Sequence, residues 1–351
     1  MAKKQYYDIK NLLSTKAQYM MLLGQRANGK SYQVKKTMLE AAYNREAKFV
    51  YLRRWKADIT TNAVEAYFED MPINKITHGE YDRVKAWRNN LYFTTVDGDK
   101  EVRGPLIGRY CALNEAERYK SWVFDKHFEF IDFEEFITDR TYLVDEPTKL
   151  QQFVSTVARL ESLTVFLVGN TLNRVCPYFA EWCLDGVLKQ KQGTIDIYHF
   201  HIENTVVDIA VEYCTNTKNE NKMFFGQTAK QIISGEWDTK DVAKLPRKLE
   251  EYDMVYEILV EYQKFKFVMQ LLIEPKEGGR LVYVYPYTGH RTIERVISDT
   301  FTDSFNVSAK LDTRRKPEML IADCFRMGKV CYSDNLTGAD FSHVNMNMRI
   351  A

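Results

Sequence analysis

The run Gly24-Gln25-Arg26-Ala27-Asn28-Gly29-Lys30-Ser31 fits the pattern G-x-x-x-x-G-K-[ST], and it constrains this chain more than any other feature of the sequence. Glycines let the backbone turn successive N–H groups inward, toward phosphate oxygens. Lys30 would bring a positive charge to the β and γ phosphates of ATP, and Ser31 a hydroxyl to Mg2+. The pattern needs a strand before it and a helix after it. An apolar run at 18–23 (QYMMLL) stops at Gly24, and a helix-compatible stretch follows over 30–43, with its positive end toward the nucleotide. Arg26 is a candidate phosphate contact from within the loop; its alternative is a salt bridge that shapes the loop.

The surrounding pattern is α/β. Strands are expected at 48–52 (KFVYL), around 128–133 and at 163–168, with a hairpin over 91–103 that turns at Val96-Asp97-Gly98, and a helix over 147–160. Strands that alternate with helices and are apolar on both faces give a mainly parallel sheet. After about residue 190 the pattern turns β-rich (TIDIYHFHI, TVVDIAVEY), and 215–250 is polar and partly helical, like a linker or lid. From 250, a helix (EYDMVYEILVEY) and two strands (KFVMQLLI, RLVYVYPY) that flank Glu277-Gly278-Gly279 mark a further domain. The 351 residues exceed what one core usually organises. The expected division is an ASCE-type P-loop domain over 1–205, a linker or lid over 206–249, and a C-terminal α+β domain over 250–351.

Composition narrows the class. With 45% apolar residues, 28% charged residues and a net charge of +1, the chain is an ordinary globular protein. A polycation that coats nucleic acid is excluded, whereas a local basic patch for a brief grip is not. The six cysteines (Cys111, Cys176, Cys183, Cys214, Cys324 and Cys331) form neither a C-x-x-C pair nor a zinc pattern, so free thiols in a reducing compartment are expected. The start, MAKKQYYDIK, lacks a signal peptide's apolar stretch, and no apolar run approaches the ~20 residues that span a bilayer. A cytoplasmic location without membrane contact is expected.

ATP hydrolysis needs a carboxylate for Mg2+ and a group that orients the attacking water. Two places qualify: Glu134-Glu135 within 130–136, and Asp145-Glu146 after Tyr142-Leu143-Val144. Spacing does not choose between them, and either pair is equally an acidic turn at a helix start.

Several segments, taken in order, resemble the large-terminase family of phage packaging motors, and most of all its compact phi-29-type branch from small podophages. They are the strand ending in paired arginines (Tyr51-Leu52-Arg53-Arg54-Trp55-Lys56), the hairpin LYFTTVDGDKEVRGP, and the stretch from Leu113-Asn114-Glu115 to Lys120-Ser121. The acidic strand 130–136, QFVSTVAR ending at Arg159, LVGN ending at Asn170, and Pro177-Tyr178-Phe179 complete the set. The likeness covers roughly 18–180, about half the chain. Only the phosphate loop is specific by itself.

The resemblance implies an ATPase that moves double-stranded DNA into a procapsid. It implies Glu134 as the Mg2+ ligand, Glu135 as the group that polarises the hydrolytic water, and Asn170 as a sensor of the γ-phosphate. Arg159 would be an arginine finger that acts in a neighbouring subunit. Arg53 and Lys56 are candidate contacts to nucleotide or to a neighbour. The chain departs from the family at Glu134, where Asp is usual, so this carboxylate reaches one methylene further. A pentameric ring mounted on the portal is implied, with a packaging RNA as a candidate partner, in the host cytoplasm and transiently on the procapsid. The C-terminal domain would have an RNase H-like nuclease fold without cleavage. The strands KFKFVMQLLI and RLVYVYPY carry no acid, and Glu274, Asp299, Asp303 and Asp323 are scattered. Candidates for gripping DNA are Arg118, Lys120 and the basic side chains of 310–316. The alternatives are a small-molecule kinase, a helicase-like ATPase on single strands, and an assembly factor that binds nucleotide without turnover.

Overall fold

The computed structural model describes residues 7–351 except 99, 160, 204, 216–236, 238–240, 276–277, 290, 301–303 and 305. The described residues divide into two units. The first is drawn from Met1–Thr138, Leu143–Thr171 and Glu181–Glu236, the second from Asp139–Tyr142, Leu172–Ala180 and Trp237–Ala351.

The first unit is built on one sheet. Its strands are β1 (Tyr19–Leu23), β2 (Lys48–Arg53), β3 (Arg83–Trp87), β4 (Asn90–Asp97), β5 (Lys100–Ala112), β6 (Phe128–Glu134), β7 (Thr164–Val168), β8 (Thr194–Ile202) and β9 (Thr205–Tyr213). Across the sheet they run β3-β4-β5-β2-β6-β7-β1-β9-β8. From β5 to β9 all neighbours are parallel; β3, β4 and β8 add antiparallel edges. β1, β2, β6 and β7 are largely buried, which is why β1 and β7 are almost wholly apolar and β2 is apolar from Phe49 to Leu52; β6 alternates apolar residues with Glu129, Asp132 and Glu134.

Helices α1 (Lys10–Ser14), α2 (Lys30–Arg45), α3 (Thr61–Phe68), α4 (Ile73–Ile76), α5 (Ala116–Tyr119) and α6 (Glu146–Ala158) accompany this sheet. In α2, Val34, Met38, Leu39 and Ala42 fall on one face by their spacing. They share a core with Leu22, Phe49 and Phe166 of the strands. Burying each of the larger ones contributes about 1.5–3 kcal/mol, and this holds the start of α2 against the end of β1.

The expected strands and helices of the first 170 residues are present with small shifts at their ends; Leu160 lies outside the described residues. β9 crosses the expected boundary between residues 205 and 206. It pairs with β1 from Tyr19↔Ile209 to Leu23↔Tyr213, so the first unit's sheet runs on to Tyr213. Of the expected linker, 216–236 and 238–240 lie outside the described residues, as does Glu277 of the expected turn.

The second unit carries α7 (Pro177–Glu181) at its margin, then β10 (Asp253–Tyr262), β11 (Phe265–Ile273), β12 (Arg280–Pro286), β13 (Val296–Ser298), β14 (Val307–Ser308), α8 (Lys316–Arg326), β15 (Val330–Tyr332) and α9 (Asn335–Met348). The sheet order is β14-β13-β10-β11-β12-β15. β10, β11 and β12 are antiparallel, and β13 and β14 continue β10 in parallel.

One expectation is overturned here. The segment read as a helix, EYDMVYEILVEY, is the strand β10. Its apolar residues satisfy helical spacing, but they are also β-branched and aromatic. Pairing with β11 on one side and β13 on the other decides the matter. KFKFVMQLLI is therefore the sheet's second strand. The first carries Asp253, Glu257 and Glu261, so the inference of a sheet without acids loses one premise.

Candidate functional site

The chain leaves β1 at Gly24, where φ is 141° and a Cβ would lie 3.4 Å from the carbonyl oxygen of Cys214. A side chain here would be both strained and crowded. Gly29, with φ of 101°, is the residue that starts α2. Tyr7 braces the loop from outside: its N–H donates to the Asn28 carbonyl at 3.1 Å and its hydroxyl to Glu212 at 2.7 Å.

Lys30 is turned back into this loop. Its Nζ donates to the carbonyl oxygens of Gln25 (2.6 Å) and Gly24 (3.2 Å), and shares its protons with Asn28 Oδ1 and Asn170 Oδ1, each at 3.3 Å. Burial pulls its pKa down to about 8, against the opposing charge of Glu134. Asn28 is buried and its Nδ2 donor has no partner, an uncommon cost that an acceptor in the cavity would relieve.

The sheet order sets the C-terminal ends of β1, β7 and β6 side by side, where ligands bind in open α/β sheets. A cavity of about 690 Å³ opens there, lined by residues 26–31, Glu134, Glu135, Gly169 and Asn170. Glu134 is buried and accepts a hydrogen bond from the Ser31 hydroxyl. Glu135 follows with φ of 58°, which turns its side chain out of the sheet; it is 60% exposed and 2.6 Å from Arg53 Nη2. The two neighbouring glutamates thus have opposite surroundings.

Beneath Glu134 lies a group that the sequence did not single out. The Tyr67 hydroxyl is 2.9 Å from Asp132 Oδ2 and 2.8 Å from Glu134 Oε1. One phenolic proton serves one carboxylate, so the second contact needs a carboxyl that carries its own proton. Asp132 is fully buried beside Glu134, and its pKa is pushed well up by burial and then by Glu134. Burial also raises Glu134, against the bonds from Ser31 and Tyr67. The other Asp132 oxygen has no partner. Tyr67 is held in turn by stacking on Tyr51 at 4.4 Å and by Lys35 over its ring at 4.5 Å. Hard oxygen donors around crowded, buried negative charge are what Mg2+ takes, and Ser31 with Glu134 fits that ion.

The other candidates lie apart from this cavity. Glu146 is fully buried in a two-pronged pair with Arg54, at 2.7 Å and 2.9 Å, and also accepts from the Leu143 N–H. Asp145 is the left-handed residue before α6. Neither lines the cavity, nor do Arg53 and Lys56; Lys56 is 4.0 Å from Glu115. Arg159 ends α6, exposed, and donates to the Trp122 carbonyl at 3.3 Å.

In the second unit, Glu257 is paired with Arg291 at 2.6 Å and accepts from Gln270, and Glu261 is paired with Lys266. Asp299, next to the register partner of Glu261, has its pKa raised by burial. Asp303 lies outside the described residues. Among the described residues no group of three or more His, Cys, Asp or Glu could hold a metal, and no helix is long and apolar enough to cross a membrane.

Two solved assemblies share this fold over nearly the whole chain. The phi-28 gp11 DNA packaging motor is 17% identical, with 99% of each chain covered and a TM-score of 0.51. The bacteriophage phi-29 viral genome packaging motor assembly is 18% identical, with 98% of this chain and 99% of that chain covered and a TM-score of 0.56. The comparison with curated proteins gives no match. The family model described as podovirus DNA encapsidation protein (Gp16) matches residues 1–227, more than half of the chain, and the protein belongs to that family.

Proposed function

We propose that this protein is the ATP-hydrolysing motor that drives double-stranded DNA into a viral procapsid, with ATP in the cradle formed by residues 24–31. The observation that carries this reading is the convergence of that loop, Glu134, Glu135 and Asn170 on one cavity. It accompanies membership of a DNA encapsidation family.

The backbone N–H groups of the loop and Lys30 bind the phosphates; to do so, Lys30 leaves the carbonyls of Gly24 and Gln25. Ser31 and Glu134 would hold Mg2+, which when bound neutralises charge on the β and γ phosphates. Glu135 orients the hydrolytic water and accepts its proton once it parts from Arg53. Asn170, already at Lys30, registers the γ-phosphate. Arg159 lies outside the cavity and acts on a neighbouring subunit's site in a ring, which we take to be pentameric and seated on the portal, with a packaging RNA as a further partner.

The second unit is a nuclease-like domain of RNase H type that does not cut. Three antiparallel strands, continued by two parallel ones beyond β10 and flanked by the parallel β15 beyond β12, support the fold, and the pairing of Glu257 and Glu261 with Arg291 and Lys266 supports the lost activity. The protein works in the host cytoplasm, at the procapsid.

The test is ATP-driven packaging of duplex DNA into purified proheads, compared with Lys30→Ala. Protection of DNA from nuclease by the wild type alone is expected. DNA left digestible in both reactions overturns the assignment.

A further inference from the structure

The outer face of the β3–β4–β5 edge holds a cluster of cations around an exposed indole. Trp87, the last residue of β3, is 43% exposed. The guanidinium carbons of Arg88 and Arg103 lie 4.4 Å and 4.3 Å from the centre of its ring, and Arg103 also lies 4.9 Å from that of Tyr92. Both arginines are exposed.

Their neighbours on this face are neutralised. Arg83 pairs with Glu101 at 3.2 Å, and Lys85 with Glu65 at 2.9 Å and Glu101 at 3.7 Å. Arg88 and Arg103 have no carboxylate partner among the described residues. Of the cations that the sequence offers for gripping DNA, Arg118 and Lys120 pair with Glu115 and Glu117, and Arg314 and Arg315 with Asp312; Lys310 and Lys316 are without a carboxylate among the described residues, but have no aromatic ring to hold them.

The backbone adds an independent sign. Arg88 and Asn89 form the two-residue turn between β3 and β4, with φ of 48° and 65°. Both are left-handed, and such a turn favours Asn or Gly at its first position. An arginine in that strained place, stacked on an exposed tryptophan, is the kind of local outlier that gathers at binding sites.

We propose that Arg88 and Arg103, held rigid by Trp87, are a contact site for the backbone phosphates of duplex DNA. Stacking fixes two guanidiniums in advance, so little side-chain freedom is lost on binding. An indole already covered by guanidiniums is not offered to an unstacked base, which favours a paired duplex over a single strand. The proposal rests on the packaging function proposed above.

The test measures binding of a fluorescein-labelled duplex to the full-length protein by anisotropy, between 50 and 200 mM salt, for wild type and Arg88→Ala/Arg103→Ala. Each phosphate contact contributes about 0.9 to the slope of log affinity against log salt, so the double variant should lose about 2 from that slope. Arg88→Lys/Arg103→Lys should keep most of it. ATP turnover without DNA should be unchanged in both variants, which shows that they fold. A wild type that binds, with an equal slope in the alanine variant, overturns the site and leaves the function standing. A wild type that never binds duplex sinks the function and the site with it. A folded RNA that outcompetes duplex on the wild type alone moves the site from DNA to RNA and also overturns the proposal.

Discussion

Arg53 Nη2 lies 2.6 Å from Glu135 Oε2, so the exposed glutamate at the cavity is held by a cation from the end of β2. The pair joins the proposed hydrolytic carboxylate to a strand that has no part in the phosphate loop. Glu135→Gln should lower the rate of ATP hydrolysis by about 10²–10⁴-fold, the usual range for losing a positioned general base. Binding of a labelled ATP analogue should stay within a few-fold of wild type. Equal losses in binding and turnover would show that Glu135 shapes the site rather than acting on water.

Glu146 gives the contrasting case. Its carboxylate is fully buried against Arg54, and removing one partner of such a pair leaves an uncompensated charge. Glu146→Ala should cost about 3–5 kcal/mol of stability, read by chemical denaturation. Turnover per folded molecule should remain. Loss of turnover with full stability would instead return the acidic motif to Asp145 and Glu146.

These two pairs show what was legible in the sequence. Gly24 to Ser31, the flanking strand and helix, and the strand ending at Glu134 follow from local pattern, because a loop that bends its own backbone must name its glycines. The choice between Glu134-Glu135 and Glu146 depends on Arg54, 92 residues from Glu146, and no local spacing encodes that partner. Tyr67 and Asp132 escape a reading of the sequence for the same reason: an isolated Tyr on a helix becomes informative only when α3 brings it to β6. The misread β10 shows the converse. Its apolar residues suit two periodicities, and only the strands on either side select one.

Tyr67 fixes Glu134, whose carboxylate sits one methylene further from the backbone than an Asp's would. Tyr67→Phe should therefore loosen the longer side chain and raise the Mg2+ concentration needed for half-maximal nucleotide binding, by about tenfold, in the range that partners of metal ligands usually command. Nucleotide binding without Mg2+ should not change. Equal weakening with and without the ion would mean that Tyr67 supports the loop as a whole.

Asp340 supplies a dependence on pH in the second unit. Its pKa is raised from 3.8 to about 6, by burial first, with Arg174 3.2 Å away acting in the other direction. A carboxyl whose folded pKa lies above its unfolded one holds its proton more tightly when folded. The stability that Asp340 contributes is thus fully present below about pH 4 and is lost as pH rises through 6. Asp340→Asn mimics the protonated form and keeps an oxygen for Arg174. Its stability should match wild type near pH 4 and exceed it by about 3 kcal/mol at pH 7, the rise in pKa converted at about 1.36 kcal/mol per pH unit. Denaturant titrations at the two pH values make the comparison. A difference that does not change with pH would place the effect elsewhere.

Whether the second unit cuts DNA turns on β10, the strand that carries the sheet's acids. Two-metal cleavage needs several carboxylates free to converge on the ions. Glu257 has both its oxygens taken up by Arg291, and Gln270 donates to it as well; Glu261 is paired with Lys266 from the next strand. Either carboxylate would have to give up its cation to take a metal, and Asp299, the acid next along, has a pKa raised by desolvation. Supercoiled plasmid incubated with the protein and Mg2+ or Mn2+ should therefore stay supercoiled, with nicking no faster than in buffer. The Arg291→Ala variant, which frees Glu257, should stay equally inert, because one freed carboxylate still lacks companions. Nicking by the wild type that disappears in Glu261→Ala would show that these ion pairs open in solution and that the domain retains its chemistry.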